Sequence, residues 1–140
     1  MKGSDKTNSV FTLTVLPERL GICKRDPSTP VPDRVYQSPF FSVTRTLDEL
    51  SIVCDETHLP KEHASSIGWR CLQVKGPLDF SETGIMASLS RSLAQATIPI
   101  FVLSTYDTDY ILVKEKDLAR AVEALENDGY KIIYEESSKA

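Results

Sequence analysis

Glu82, Gly84, Thr105 and Asp109 are the residues whose types and spacing suggest chemistry. Asp79-Phe80-Ser81-Glu82 fits a capping box, in which a carboxylate accepts first-turn amides and a Glu follows three residues on. Gly84 then lies near the start of the helix so capped. Amides at a helix start lack intrahelical partners and the dipole there is positive, so a ligand carboxylate is favoured. Glycine lets a ligand approach the backbone; it serves helix–sheet packing equally well. Glu82 and Asp109 can balance an ammonium or a guanidinium. Two other readings stay open: Glu82 only completes the box, and Asp107 with Asp109 is a solvated turn. The gathering of these groups around one helix start and one hairpin favours a small-molecule binding site.

Other chemistries find less support. His58 and His63 lie near Asp55 and Glu56, but no third and fourth ligand follows at metal spacing, so no metal is expected. No nucleophile elbow, phosphate loop or dinucleotide fingerprint is present. No acid–base pair stands out, which speaks against an enzyme, and no cofactor is implied. Cys23, Cys54 and Cys71 sit singly in apolar stretches. Such cysteines are most often small buried apolar groups, and an odd, unpatterned count favours reduced thiols in a cytosol-like compartment.

The elements that must position the site come mostly from the second half. Trp69–Lys75 alternates as a strand and ends at Gly76-Pro77. Ile85, Leu89, Leu93 and Ala96 form an apolar stripe at helical spacing. Pro99 precedes the strand Ile100–Ser104, and Asp107-Thr108-Asp109 turns it back into Tyr110–Val113. Asp117 is placed to cap a second helix with core face Leu118, Ala121, Val122 and Leu125; Asn127-Asp128-Gly129 ends it before the strand Tyr130–Tyr134. Strand, helix, strand, strand, helix, strand is the ferredoxin-like split βαβ order. In the first half, Phe11–Val15 alternates as a strand and Asp26–Pro32 is a proline-rich loop. The hairpin Pro39–Val53 repeats Pro99–Val113 sixty positions earlier. Pro17–Lys24 stands where the first helix should be and reads as strand, and Thr57–Ser66 holds at most a helical turn. The first half is therefore a degenerate copy of the second module. Its tip carries Leu47 in place of Asp107, so no second site is transferred to it.

The 140 residues suffice for one ordinary domain or two very small ones. At 41% hydrophobic and 26% charged residues the composition is globular. A net charge of -4 and the lack of a dense Lys/Arg cluster argue against nucleic acid. No apolar run reaches membrane-spanning length, and Met1–Ser9 is polar without a signal core, so a cytoplasmic location with no membrane partner is expected.

Glu82-Thr83-Gly84-Ile85-Met86 and Ser104-Thr105-Tyr106-Asp107-Thr108-Asp109-Tyr110-Ile111-Leu112-Val113 resemble the ACT domain, in its aspartate-kinase-like subgroup. Phe40–Thr46 and Asp48–Val53 resemble the first-module signature of small tandem-ACT proteins of the arginine-sensor type. The resemblance implies tandem ferredoxin-like βαββαβ modules, α+β in class, with antiparallel sheets and helices on one face. It implies modules at 10–67 and 68–135 between a flexible N-terminus (1–9) and tail (136–140). It also implies a regulatory protein that binds a free amino acid or similar metabolite at a module or subunit interface. Glu82, Thr105, Tyr106 and Asp109 match ligand-contacting positions, with Thr83, Gly84 and Ile85 in the same motif. Pro99 and Ile100 match the strand that an opposing module contributes. Because this chain is one double-module half, a complete site implies a homodimer, with a protein target still to be identified. The Glu82 and Asp109 pair tilts the ligand towards a cationic amino acid. The rival expectation is an ACT-fold dimerisation scaffold with no metabolite.

Overall fold

The structure is a computed structural model that describes residues 11–60, 65–74 and 84–136. Its elements are β1 (Thr12–Val15), β2 (Leu20–Arg25), β3 (Phe41–Arg45), β4 (Leu50–Asp55), β5 (Ser65–Val74), α1 (Ile85–Gln95), β6 (Phe101–Ser104), β7 (Asp109–Lys114), α2 (Leu118–Asn127) and β8 (Lys131–Tyr134). They form two compact units, Glu18–Trp69, and Met1–Pro17 with Arg70–Ala140. β5 runs through the division: Ser65, Ser66 and Trp69 pair with β2, and Leu72 to Val74 pair with β1. No helix among the described residues is long and apolar enough to cross a membrane.

The larger unit has the βαββαβ order expected from the sequence, β5-α1-β6-β7-α2-β8. Leu89 and Leu93 of α1, with Leu118, Ala121 and Leu125 of α2, pack on Leu13, Val15, Leu72, Val74, Ile111 and Val113 of the sheet. These side chains recur at helical spacing on the helices and at alternate positions on the strands, so one face of each element is buried. Each large side chain so buried contributes about 1.5–3 kcal/mol. β1, grouped by the sequence with the first module, hydrogen-bonds here, between β5 and β8. It is antiparallel to β5 and parallel to β8. A strand inserted between two antiparallel neighbours must match one of them, so the sheet acquires one parallel pair.

Both helices end in the same way. Ile98 N–H bonds to Leu93 O and Tyr130 N–H to Leu125 O, both at 3.0 Å. The residue before each is left-handed: Gly129 at φ 99° and Thr97 at φ 61°. This is the Schellman ending, for which glycine is the natural residue. The start of α2 differs from expectation. Asp117 makes no capping bond; a 3-10 turn, Glu115–Asp117, leads directly into the helix. Its carboxylate accepts from Arg120 Nη2 at 3.1 Å instead.

The smaller unit orders its strands β3-β4-β2-β5. In chain order within the unit that is second, third, first, fourth, the topology of the same module. Among its described residues no α-helix occurs: 3-10 turns at Asp33–Gln37 and Glu56–His58 stand in the two crossovers. The residues in helix position are thus 26–40, and Pro17–Lys24 is not in that place, because Leu20–Arg25 is the unit's first strand. The three prolines of 26–32 remove amide donors, and the crossover spans 26–40 where the larger unit has 75–100. The turn expected within Thr57–Ser66 is at Glu56–His58, and Ser65 and Ser66 belong to β5. Cys23, Val35, Leu50, Ile52, Cys54 and Leu59 form the core. One bulge marks the β2–β5 ladder: Leu20 pairs with Trp69 but Ile22 with Ser66. Gly68, at φ 80°, supplies the left-handed residue of that bulge.

Candidate functional site

The predicted site lies at one end of the larger unit. β6 and β7 form an antiparallel pair whose last register partners are Ser104 and Asp109. Ile111 and Val113 belong to the core under the helices. By alternation Asp109 shares their face, and Ser104, directly opposite it, does too. The Ser104 hydroxyl donates to Asp109 Oδ1. Thr105 closes the turn: its N–H donates to Thr108 O at 2.8 Å, and its Oγ1 accepts from Thr108 N–H at 3.3 Å. Thr108 is buried at 7% exposure, and its hydroxyl donates to Val74 O. That bond fixes the turn at the end of β5 from which the chain departs towards α1. Because α1 leads back to the start of β6, its own N-terminus lies at this same end.

Gly84 is the residue before α1, at φ 88°. Among the described residues a Cβ there would meet nothing within 4 Å, so the left-handed backbone is what favours the glycine. Ser88 N–H bonds to Gly84 O at 2.8 Å as the first helical hydrogen bond. The amides of Ile85, Met86 and Ala87 precede it and have no intrahelical acceptor. Ile85 keeps its side chain in the core, so it offers the site only backbone.

Gly84, Ile85, Thr105 and Asp109 are thus brought to one end, with Asp109 on the helix face. Tyr106 stands at the turn, 82% exposed. Pro99 and Ile100 are not brought there. They precede β6, whose four residues span about 13 Å, so they lie at its opposite end. Glu82, Thr83 and the capping box at Asp79 lie outside the described residues. Ser104 and Thr108 are the residues that sequence reading missed. The signal was a serine and an aspartate flanking a four-residue turn, readable only once the pairing register is known.

Electrostatics separates the two faces of β7. Burial, and secondarily Cys71, pushes the Tyr110 hydroxyl above its usual range; Tyr110 lies on the face opposite Asp109. Among the described residues no group of three His, Cys, Asp or Glu side chains could hold a metal. In the smaller unit a cleft of about 510 Å³, walled by Pro30, Pro32 and Pro60 with Arg25 and Arg34, lies beside the crossover loops.

Fold and site together define an α+β protein of ferredoxin-like modules, one complete and one degenerate. The sequence profile of the ACT domain matches residues 64–127, and a second profile, described as an N-terminal domain, matches residues 18–62. Protein Atu0741 from Agobacterium tumefaciens is 36% identical, covers 94% of this chain and 98% of its own, and superposes with a TM-score of 0.86. The chain belongs to the ACT-domain family. The human cytosolic arginine sensor for mTORC1 subunit 1 is 33% identical over 107 residues, which is 71% of this chain and 32% of the sensor. Aspartate kinase from Clostridium acetobutylicum shares the fold at 11% identity, with a TM-score of 0.62 over 81% of this chain and 33% of the kinase. The chain spans less than two thirds of the curated relatives it matches, 63% of one and about a third of the arginine sensors.

Proposed function

We propose that this chain is a non-catalytic regulatory or sensor protein of the cytoplasm that binds a free amino acid. The ligand carboxylate lies against the amides that follow Gly84, and its ammonium against Asp109, with Glu82, Thr83, Ile85, Thr105 and Tyr106 around it. Pro99 and Ile100, remote from this end in their own chain, close the site from a second copy, which makes the working unit a homodimer of tandem modules. One observation supports the reading: a helix start and a carboxylate held by Ser104 occupy the same end of the sheet, with Asp109 on the helix face. A positive helix end and a carboxylate side by side suit the two charges of an amino acid. The arginine sensors among the relatives support the ligand class, and a cationic amino acid is the first to test.

A thermal-shift screen of the twenty amino acids tests it, paired with light scattering. An amino acid that raises the melting temperature of a dimer supports the proposal. A flat screen, or a monomer at micromolar concentration with and without amino acids, overturns it. A second reading, an interaction scaffold without metabolite, has its own observation: Leu47 and Tyr106 stand 97% and 82% exposed on the two hairpin tips.

A further inference from the structure

We infer that Ser104 is a positioning residue of this site, holding the Asp109 carboxylate in the orientation that a ligand ammonium needs; the inference rests on the amino-acid reading above. Ser104 and Asp109 are the terminal pair of the β6–β7 ladder, and the serine hydroxyl donates to Oδ1. Among the described residues Oδ2 accepts no further hydrogen bond, and we assign it to the ligand. A carboxylate on an exposed turn ordinarily gains little from an ion pair, because ordering the side chain offsets the attraction. Here the ordering is done before the ligand arrives. The backbone beneath is fixed as well, by Thr105 across the turn and by the buried Thr108 hydroxyl on Val74 O. The other unit supplies the contrast. Its hairpin turn is closed by the same threonine device, Thr46 N–H to Glu49 O at 2.9 Å with Thr46 Oγ1 accepting from Glu49 N–H at 3.1 Å. Yet its terminal register pair is Arg45 and Leu50, with neither hydroxyl nor carboxylate. The turn therefore does not require the Ser–Asp pair, and the pair occurs in the module whose crossover keeps its helix. Ser104 is itself exposed and contributes nothing to the core.

Calorimetric titration of the full chain with the twenty standard L-amino acids, arginine first, provides the test. Ser104→Ala is expected to weaken binding about tenfold, the size of one hydrogen bond to a charged group. Its melting temperature without ligand stays within about a degree of the wild type. Ser104→Thr, which keeps the hydroxyl, restores the affinity. In an Asp109→Ala background, Ser104→Ala produces no further loss, because the hydroxyl acts through that carboxylate. Wild-type affinity in Ser104→Ala, or an equal tenfold loss in the Asp109→Ala background, overturns the inference and leaves the function standing. Failure of the wild type to bind any of the twenty overturns both.

Discussion

Under the proposed function, replacing Asp109 by alanine should separate ligand binding from folding, because the residue sits at the sheet end and outside both cores. The magnitude follows from the geometry. A hydrogen bond to a charged partner contributes about 1.5–3 kcal/mol, so losing the one to a ligand ammonium weakens binding by up to about a hundredfold. At a concentration of about a hundred dissociation constants, an amino acid stabilises the wild type by about 2.7 kcal/mol. Unfolding entropy near 2.1 cal/mol/K per residue gives about 0.3 kcal/mol per degree for a chain of 140 residues. The wild type should then shift by about 9 °C. At the same concentration Asp109→Ala faces only about one dissociation constant, worth about 0.4 kcal/mol and a shift near 1.4 °C. Without ligand the variant loses only the exposed bond from Ser104, so its melting temperature should lie within about 2 °C of wild type. Differential scanning fluorimetry reads both quantities. A full shift in the variant removes Asp109 from the site. A large fall without ligand shows that the carboxylate holds the fold and that the site reading mistook its role.

Three further outcomes follow from the structure. Thr97→Gly should raise the melting temperature by about 2–4 °C, because a β-branched residue at φ 61° in a Schellman ending carries strain that glycine relieves; a fall would mean that the strained backbone is compensated elsewhere. Gly84→Ala should lower it by about 3–6 °C from the left-handed backbone at φ 88°, since its Cβ meets nothing among the described residues, and urea titration checks whether the change is thermodynamic. Burial, then the charge of Asp55, then Cys23, pushes the Cys54 thiol from about 9 to about 12. The thiol of the unfolded chain ionises near 9 and that of the folded chain does not, so this contribution is full below pH 9 and is lost as pH rises towards 12. Stability measured by denaturant should therefore fall across that interval, and Cys54→Val should flatten the fall; native Cys54 should also resist iodoacetamide at pH 8, and rapid alkylation would show that the core opens.

How much of this was readable depended on the range of the interactions. The stripe Ile85, Leu89, Leu93 and the face Leu118, Ala121, Leu125 announced two helices, because a helix buries one side at fixed local spacing. Both hairpins were legible, since each joins neighbouring strands through a short polar turn. β1 was not. Thr12–Val15 reads as a strand anywhere, and nothing local says that it enters between β5 and β8, more than fifty residues away. The double use of β5 was hidden for a related reason. The alternation of Trp69–Lys75 marks only its later part; Ser65 and Ser66, set off by the bulge at Gly68, carry no strand signal although they pair with β2 as Trp69 does. Asp117 misled because aspartate before an apolar helix is a capping signal, whereas Arg120 one turn on draws the carboxylate away.

The most consequential point is a slip of one residue. Matching prolines and apolar runs lays Pro39–Val53 on Pro99–Val113 at a spacing of sixty, which sets Glu49 against Asp109 and suggests an acidic group in both tips. The ladders pair Arg45 with Leu50 and Ser104 with Asp109, a spacing of fifty-nine. The turn hydrogen bonds agree, with Thr46 on Thr105 and Glu49 on Thr108. In a strand, one residue of register exchanges the two faces. The counterpart of Asp109 is therefore Leu50, fully buried in the core of its unit, and the counterpart of Tyr106 is Leu47. Leu50 cannot be made acidic without placing an unpaired charge among Cys23, Ile52 and Cys54, at a cost of several kcal/mol. The smaller unit has thus committed to its core the position that the larger unit leaves open for chemistry. This favours, for the proposed amino-acid site, one per chain, in the module that keeps its helix start.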